Sequence, residues 1–316
     1  MRRDLRNVLV GFATAALLIA VLPAASEGAA PTRKASFPGL NGRIAFARNE
    51  AESPFNFNIY SMRPDGSGLT QLTQNPLGGG SPDYSPDGKK ILFTRRREGG
   101  GTDFWVMRTN GTDQHNVGGS TMGLSGPTWA PSGNWITFGY QSGVTASNWD
   151  VGKAKLEANQ LTDFNILTIN AHDDHSPAWS PNWDRIAFTS ERTGNGEIFT
   201  IRPNGFGLRN LTKSPGSYDA SPDWSPGGAY IAFESDRIGD QYDIYTMRAD
   251  GSHVRRLTKS PANDILASWS PDGKKIAFQS FRDGDAEIFT MRRDGSHVHQ
   301  RTFNTVIDLN PDWQSR

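Results

Sequence analysis

Short apolar triplets punctuate a chain that is otherwise polar. Ile-x-Phe and its variants recur as IAF (44–46), ILF (91–93), ITF (136–138) and again IAF at 186–188, 231–233 and 276–278. A polar stretch built around an aromatic precedes five of the six: SPDYSPDG, GPTWAPSG, SPAWSPNW, SPDWSPGG and ASWSPDGK. A sixth copy, NPDWQSR, ends the sequence. The aromatics are Tyr84, Trp129, Trp179, Trp224, Trp269 and Trp313, at spacings of 45, 50, 45, 45 and 44 residues. Aromatic segments with tight turns follow the triplets, as in NIYSMRPDGS, DIYTMRADGS and EIFTMRRDGS. A Leu-Thr pair then closes the unit at Leu72-Thr73, Leu161-Thr162, Leu211-Thr212 and Leu257-Thr258.

Aromatic and β-branched residues in short runs between Gly, Pro and Asp clusters predict strands. Each unit therefore holds four, here lettered A (around the Trp), B (the triplet), C (IYTM) and D (RRLT). Asp-Gly and Asn-Gly pairs supply the positive φ that hairpin turns need. Four antiparallel strands at this period predict the blade of a β-propeller. The first B strand has no A before it, and the last A has no B after it. The terminal A strand should therefore complete the N-terminal blade and close a ring of six, leaving no open edge. The expected fold is an all-β, six-bladed propeller over residues 42–316, where an open solenoid would have no need of a divided end unit.

The segment before the repeats differs. MRRDLRNVLVGFATAALLIAVLPAASEGAA has a basic start, an apolar run from Val8 to Leu22 and then small residues, the layout of a secretory signal peptide. Residues 1–30 are expected to be that leader and 31–41 a linker. The apolar run is short for a membrane span, and no later segment is apolar enough to be one. Export predicts a periplasmic or extracellular protein. The 316 residues contain no cysteine, so packing alone must stabilise the mature chain. Lysine plus arginine (33) balance aspartate plus glutamate (33), which gives no electrostatic reason to expect nucleic acid or anionic membrane as partner.

Antiparallel strands sort the loops onto two faces. The A–B and C–D turns are tight and Gly-bearing. The B–C and D–A loops are longer and more varied, as functional loops usually are. Five residues before the A-strand aromatic stand Gly79, Leu124, Asp174, Asp219, Asp264 and Asp308. Four carboxylates at one position of the innermost strand predict a rim at the tunnel mouth. Each could cap its own loop, or together they could attract a basic partner segment or a divalent cation such as Ca2+. Arg192, Arg237 and Arg282 each lie two residues beyond a Phe-x-Ser in the B–C loops. They could brace the loop against Glu197, Asp243 and Glu287, or recognise a partner through their guanidinium groups. From Thr162 to Trp179 is 17 residues, against 11 or 12 elsewhere, which predicts an insertion in that D–A loop. HDDH (172–175) lies there. His172, Asp174 and His175 are a conceivable metal set, or the histidines are ordinary polar loop residues. No nucleophile–base–acid set can be assembled, and no G-x-S-x-G element is present.

The units SPDWSPGGAYIAFESDRIGDQYDIYTMRADGSHVRRLT (221–258) and SWSPDGKKIAFQSFRDGDAEIFTMRRDGS (268–296) resemble the TolB-type, WD-repeat-like propeller repeat. The resemblance extends over 42–316 and is weaker around 139–162, where no Asp-Gly hairpin is visible. It implies a propeller of the bacterial periplasm or cell exterior that serves as a protein-binding platform. Proteins named TolB carry an additional N-terminal α/β domain, for which the stretch between leader and Gly42 leaves no room, so a strict Tol–Pal role is not implied. The expectation is a monomeric, non-enzymatic platform for an envelope or extracellular protein or peptide, with a role in envelope or transport processes. The alternative is a metal-dependent carbohydrate-active enzyme of the lyase kind, working at the tunnel mouth.

Overall fold

The computed structural model describes residues 37–50, 56–120, 123–141 and 148–316. The expected leader, and residues 31–36 of the expected linker, lie outside the described residues. Twenty-four strands form six antiparallel four-stranded sheets. Blade 1 holds β1 (Asn41–Asn49), β2 (Phe57–Met62) and β3 (Thr70–Gln71). Blade 2 holds β4 (Gly79–Tyr84), β5 (Lys90–Arg96), β6 (Thr102–Arg108) and β7 (His115–Ser120). Blade 3 holds β8 (Leu124–Trp129), β9 (Trp135–Gln141), β10 (Trp149–Glu157) and β11 (Gln160–Ile166). Blade 4 holds β12 (Asp174–Trp179), β13 (Ile186–Ser190), β14 (Glu197–Ile201) and β15 (Arg209–Asn210). Blade 5 holds β16 (Asp219–Trp224), β17 (Tyr230–Ser235), β18 (Asp243–Arg248) and β19 (Arg255–Arg256). Blade 6 holds β20 (Asp264–Trp269), β21 (Lys275–Ser280), β22 (Glu287–Arg292) and β23 (His299–Gln300). The last strand, β24 (Asp308–Ser315), pairs with β1 and completes blade 1, so the ring of six closes as the repeat count predicts.

The clasp reaches past the strands. Leu40 and Arg316 exchange two backbone hydrogen bonds of 2.9 Å, and Phe37 is buried, so residues 37–41 belong to the folded body. Blades pack through apolar faces. Between blades 4 and 5, Trp224, Phe233 and Met247 meet Ala178, Ala187 and Ile198 of the preceding blade. Polar staples cross other gaps. Asp312 accepts the Tyr84 N–H, Asp83 that of Trp129, and Asp223 that of Trp269, at 2.6–2.7 Å. The Asp of the Pro-Asp-aromatic element thus ties one blade to the next.

Each innermost strand is bulged at one point. Ser81, Gly126, Ser176, Ser221, Leu266 and Asn310 all have φ between 51° and 55°, and the A–B register jumps there. Proline follows in five of the six. With no N–H to donate, proline is accommodated where the ladder is already interrupted.

Blade 3 departs from the expected alignment. Leu167, not Leu161, sends its N–H to the C strand as Leu72, Leu211 and Leu257 do. Thr168, not Thr162, accepts the C-strand N–H of Val151, as Thr73, Thr212, Thr258 and Thr302 accept theirs. The extra residues therefore extend the β10–β11 hairpin. They do not lengthen the D–A loop, and His172 sits in a loop of ordinary length. The hairpin itself turns on Ala158 and Asn159, both at positive φ (47° and 63°), without glycine.

Candidate functional site

The four rim aspartates begin their A strands at one position, and a guanidinium meets each of them. Arg192 reaches Asp174 at 2.7 Å, Arg237 reaches Asp219 at 2.8 Å, Arg282 reaches Asp264 at 2.8 Å and Arg48 reaches Asp308 at 2.7 Å. Blades 4 to 6 use one local design. Phe-x-Ser ends the B strand, and the Arg two residues on curls back. Its Nε donates to the Ser hydroxyl and Nη2 to the aspartate at the head of the same blade's A strand. Two aromatic rings lie under each guanidinium: Phe188 and Phe199, Phe233 and Tyr245, Phe278 and Phe289, at 4.7–5.9 Å. Cation–π contact and a charge-assisted hydrogen bond together hold each fork in one orientation.

This arrangement corrects two expectations. The carboxylates are not an unpaired acidic rim, because all four side chains are fully buried and each is charge-matched. Nor does the structure pair the arginines with Glu197, Asp243 and Glu287. Those three serve the D–A loops instead, accepting from the hydroxyls of Thr212, Thr258 and Thr302, and Asp243 also pairs with Arg256. The Arg192, Arg237 and Arg282 side chains keep 20–28% of their surface exposed, and Nη1 of each has no partner among the described residues. In blades 4 to 6 the Asp and Arg of a pair lie 18 residues apart, a recurrence visible in the sequence. Apolar side chains stand exposed on loops of the same face, Leu77, Ile169 and Phe303 on D–A loops and Ile238 on the B–C loop of Arg237.

His172, Asp174 and His175 are adjacent in sequence, but the structure does not bring them together. His172 is exposed in the loop. Asp174 accepts through one oxygen from Arg192 and from Asn170. His175 is buried, with Nδ1 3.0 Å from the Ser176 hydroxyl and Nε2 3.4 Å from the Tyr218 hydroxyl. Burial pushes its pKa down to about 4, so the ring is neutral at ordinary pH. Tyr218 donates in turn to Glu191 at 2.6 Å, and burial raises the pKa of both. The strand alternation that buries His175 turns its neighbours elsewhere, which a four-residue motif does not reveal.

Among the described residues, one set of carboxylates does converge. Asp283 and Asp285 of the blade 6 B–C loop and Glu287 at the head of β22 have oxygens within 4.8 Å of one another. Glu287 is fully buried, and burial, with the nearby Asp308 carboxylate, lifts its pKa to about 7. No helix among the described residues is long and apolar enough to cross a membrane.

The chain spans less than half the length of the curated relatives it matches. It is 35% identical over 138 residues to an uncharacterized protein of Agrobacterium fabrum, covering 42% of this chain and 46% of that one. A protein TolB homolog of Chlorobium luteolum is 30% identical over 144 residues, 45% of this chain and 31% of its own. An uncharacterized peptidase of Bacillus subtilis, YuxL, matches at 27% over 88 residues, 28% of this chain and 13% of its own. Among solved structures, TolB from Acinetobacter baumannii superposes with a TM-score of 0.75 at 20% identity, over 87% of this chain and 67% of that one. A putative TolB from Agrobacterium tumefaciens gives 0.66 at 22% identity, over 88% and 92%. At these identities the structures speak to the fold alone. The sequence profile of the TolB beta propeller domain matches residues 35–182 and 239–316, well over half of the sequence, and the chain belongs to that family.

Proposed function

We propose that this propeller is an exported, non-enzymatic platform that binds a protein or peptide on its D–A/B–C face. The observation that carries the reading is the trio Arg192, Arg237 and Arg282, each bonded to a buried carboxylate through Nη2 and flanked by aromatic rings, and each with 20–28% of its side chain still exposed. A guanidinium fixed in this way loses little further entropy on meeting a carboxylate or a chain of carbonyls. Exposed Ile169, Ile238 and Phe303 on loops of the same face supply apolar contact. The buried aspartates Asp174, Asp219, Asp264 and Asp308 act by positioning, not by touching the partner. Membership of the TolB propeller family supports export to the periplasm or cell exterior; action as a monomer is part of the same proposal.

The test is capture from an envelope fraction with residues 37–316, followed by the same capture with Arg192→Lys/Arg237→Lys/Arg282→Lys. Lysine keeps a charge toward each aspartate but removes the guanidinium fork. A partner retained by the parent and lost by the triple variant, with the variant still folded and unfolding cooperatively, is the expected result. Equal retention by both would remove the arginine trio from the reading. The alternative of a metal-dependent carbohydrate-active enzyme is tested by elemental analysis of protein prepared without chelator. Stoichiometric metal that is lost in Asp283→Asn/Asp285→Asn would favour it.

A further inference from the structure

A second cluster of cations lies toward the opposite, A–B/C–D face, in the gap between blades 4 and 5. A groove of ≈390 Å³ is lined there by Arg185, Arg209, Asn210, Lys213 and, from blade 5, Trp224 and Asp250. Arg185 precedes the B strand and Arg209 opens the D strand. Arg202, just after the C strand, is close enough to join Arg209 in lowering the Arg185 pKa, with burial the larger cause.

Arg185 is unusual in its company. Its side chain is only 11% exposed, less than that of Arg48, Arg192, Arg237 or Arg282, each of which has a buried carboxylate within 2.8 Å. Arg185 has only Asp184, itself 62% exposed and 3.6 Å away, and donates one hydrogen bond, to the Gly207 carbonyl. The Asp250 carboxylate is turned to its own hairpin, accepting the Ser252 N–H.

Blade 1 shows how the same position is satisfied without an anion. Arg43 there donates to the Ser61 hydroxyl and carbonyl, to the Gly68 carbonyl and to the Thr70 hydroxyl. In the C–D ladder Ser61 pairs with Thr70, and the matching pair in blade 4 is Thr200 with Arg209. A second guanidinium thus stands where blade 1 places a hydroxyl. Two like charges at the wall of a half-closed groove, one nearly buried and poorly paired, are stable together when an anion lies between them.

We propose that this groove binds a phosphoryl-type oxyanion, the phosphate group of a small ester or of a lipid headgroup, held by the forks of Arg185 and Arg209 with Lys213 at the entrance. Planar, multidentate donors suit phosphate oxygens, and the volume leaves room for a small organic substituent. The site lies away from the arginine trio, so it stands or falls independently of the platform reading.

The test is titration of the folded protein with inorganic phosphate at low chloride, followed by calorimetry and by melting temperature, which rises if the native state binds. Glycerol phosphate, and sedimentation with phosphatidylglycerol against phosphatidylcholine vesicles, then distinguish a free ester from a headgroup. Arg209→Thr restores the blade 1 arrangement and should fold. It is expected to weaken phosphate binding at least tenfold and to raise the melting temperature without phosphate. Arg255→Thr in blade 5, whose guanidinium already donates to the Asp294 carbonyl, should bind as the parent does. Absence of a saturable phosphate effect in the parent, or equal binding by Arg209→Thr, would overturn the proposal.

Discussion

Arg237 and Asp219 share a bond but not an environment. The aspartate is fully buried, and the arginine side chain keeps 20% of its surface in water. Removing the arginine strands a buried carboxylate, a loss of about 3–5 kcal/mol. Removing the aspartate leaves a cation that can turn outward, which costs less. Urea denaturation should therefore rank Arg237→Met as more destabilising than Asp219→Asn. The double variant Arg237→Met/Asp219→Leu should recover much of the loss, and additive losses would show that the pair is not coupled. Two other buried groups tie stability to pH in opposite directions. Burial holds His175 neutral, its pKa near 4 instead of 6.5. Between those values the unfolded chain takes up a proton that the folded chain refuses. The His175 contribution is lost as pH falls through that window, by up to roughly 3 kcal/mol. Glu287 titrates at about 7 instead of 4.5. Its folded form keeps a proton that the unfolded chain has released, so its contribution is present at acid pH and lost as pH rises through 7. Melting curves across this range should show a flatter acid limb for His175→Gln and a flatter neutral limb for Glu287→Gln. Parallel profiles for parent and both variants would contradict these assignments.

Among the elements, the hairpin turns test the clasp most locally. Gly88, in the A–B turn of blade 2, has φ 65°, and a Cβ there would lie 1.8 Å from the Ser315 carbonyl oxygen of the closing strand. Gly133, in the same turn of blade 3, has φ 73°, but its nearest neighbour would be Pro86 at 3.8 Å. Alanine at either position suffers the left-handed backbone, about 1–2 kcal/mol. Only Gly88→Ala must also push the clasp aside, so it should lower the melting temperature clearly more than Gly133→Ala. Equal shifts would mean that the turn does not bear on the closing strand. Element order, strand type and the closing role of residues 310–316 were legible in the sequence, because the aromatic and the apolar triplet recur together. The blade 3 hairpin was not. Ala158-Asn159 makes the turn without glycine, and an accidental Leu161-Thr162 imitates the closing pair that Leu167-Thr168 supplies. The site was legible in composition only. Sequence position brings Asp219 and Arg237 to one blade, but their bond needs the A and B strands in register, and the burial of the carboxylate follows from a neighbouring blade that no single repeat contains.

At the scale of the whole ring, closure rests on one strand from the far end of the chain. Removing residues 309–316 deletes the Trp313 side chain from the core, the Asp312 staple to blade 2 and the Leu40–Arg316 bonds. It also leaves β1 with an unpaired edge, an invitation to association. The truncated chain should melt on the order of 10 °C lower, or lose cooperative unfolding, and should elute as larger species. A monomer with an unchanged melting temperature would contradict the clasp. A closed ring of this kind places three ring-stacked guanidiniums and several exposed apolar side chains on one rim, and that rim is the central functional claim. The most direct measurement is quantitative partner capture by the parent and by Arg192→Lys/Arg237→Lys/Arg282→Lys, with Arg255→Thr on the opposite side as control. The account predicts that capture falls at least tenfold in the triple variant alone, while all three proteins remain folded and unfold cooperatively. Capture that survives the triple substitution, or that falls equally in Arg255→Thr, would contradict it.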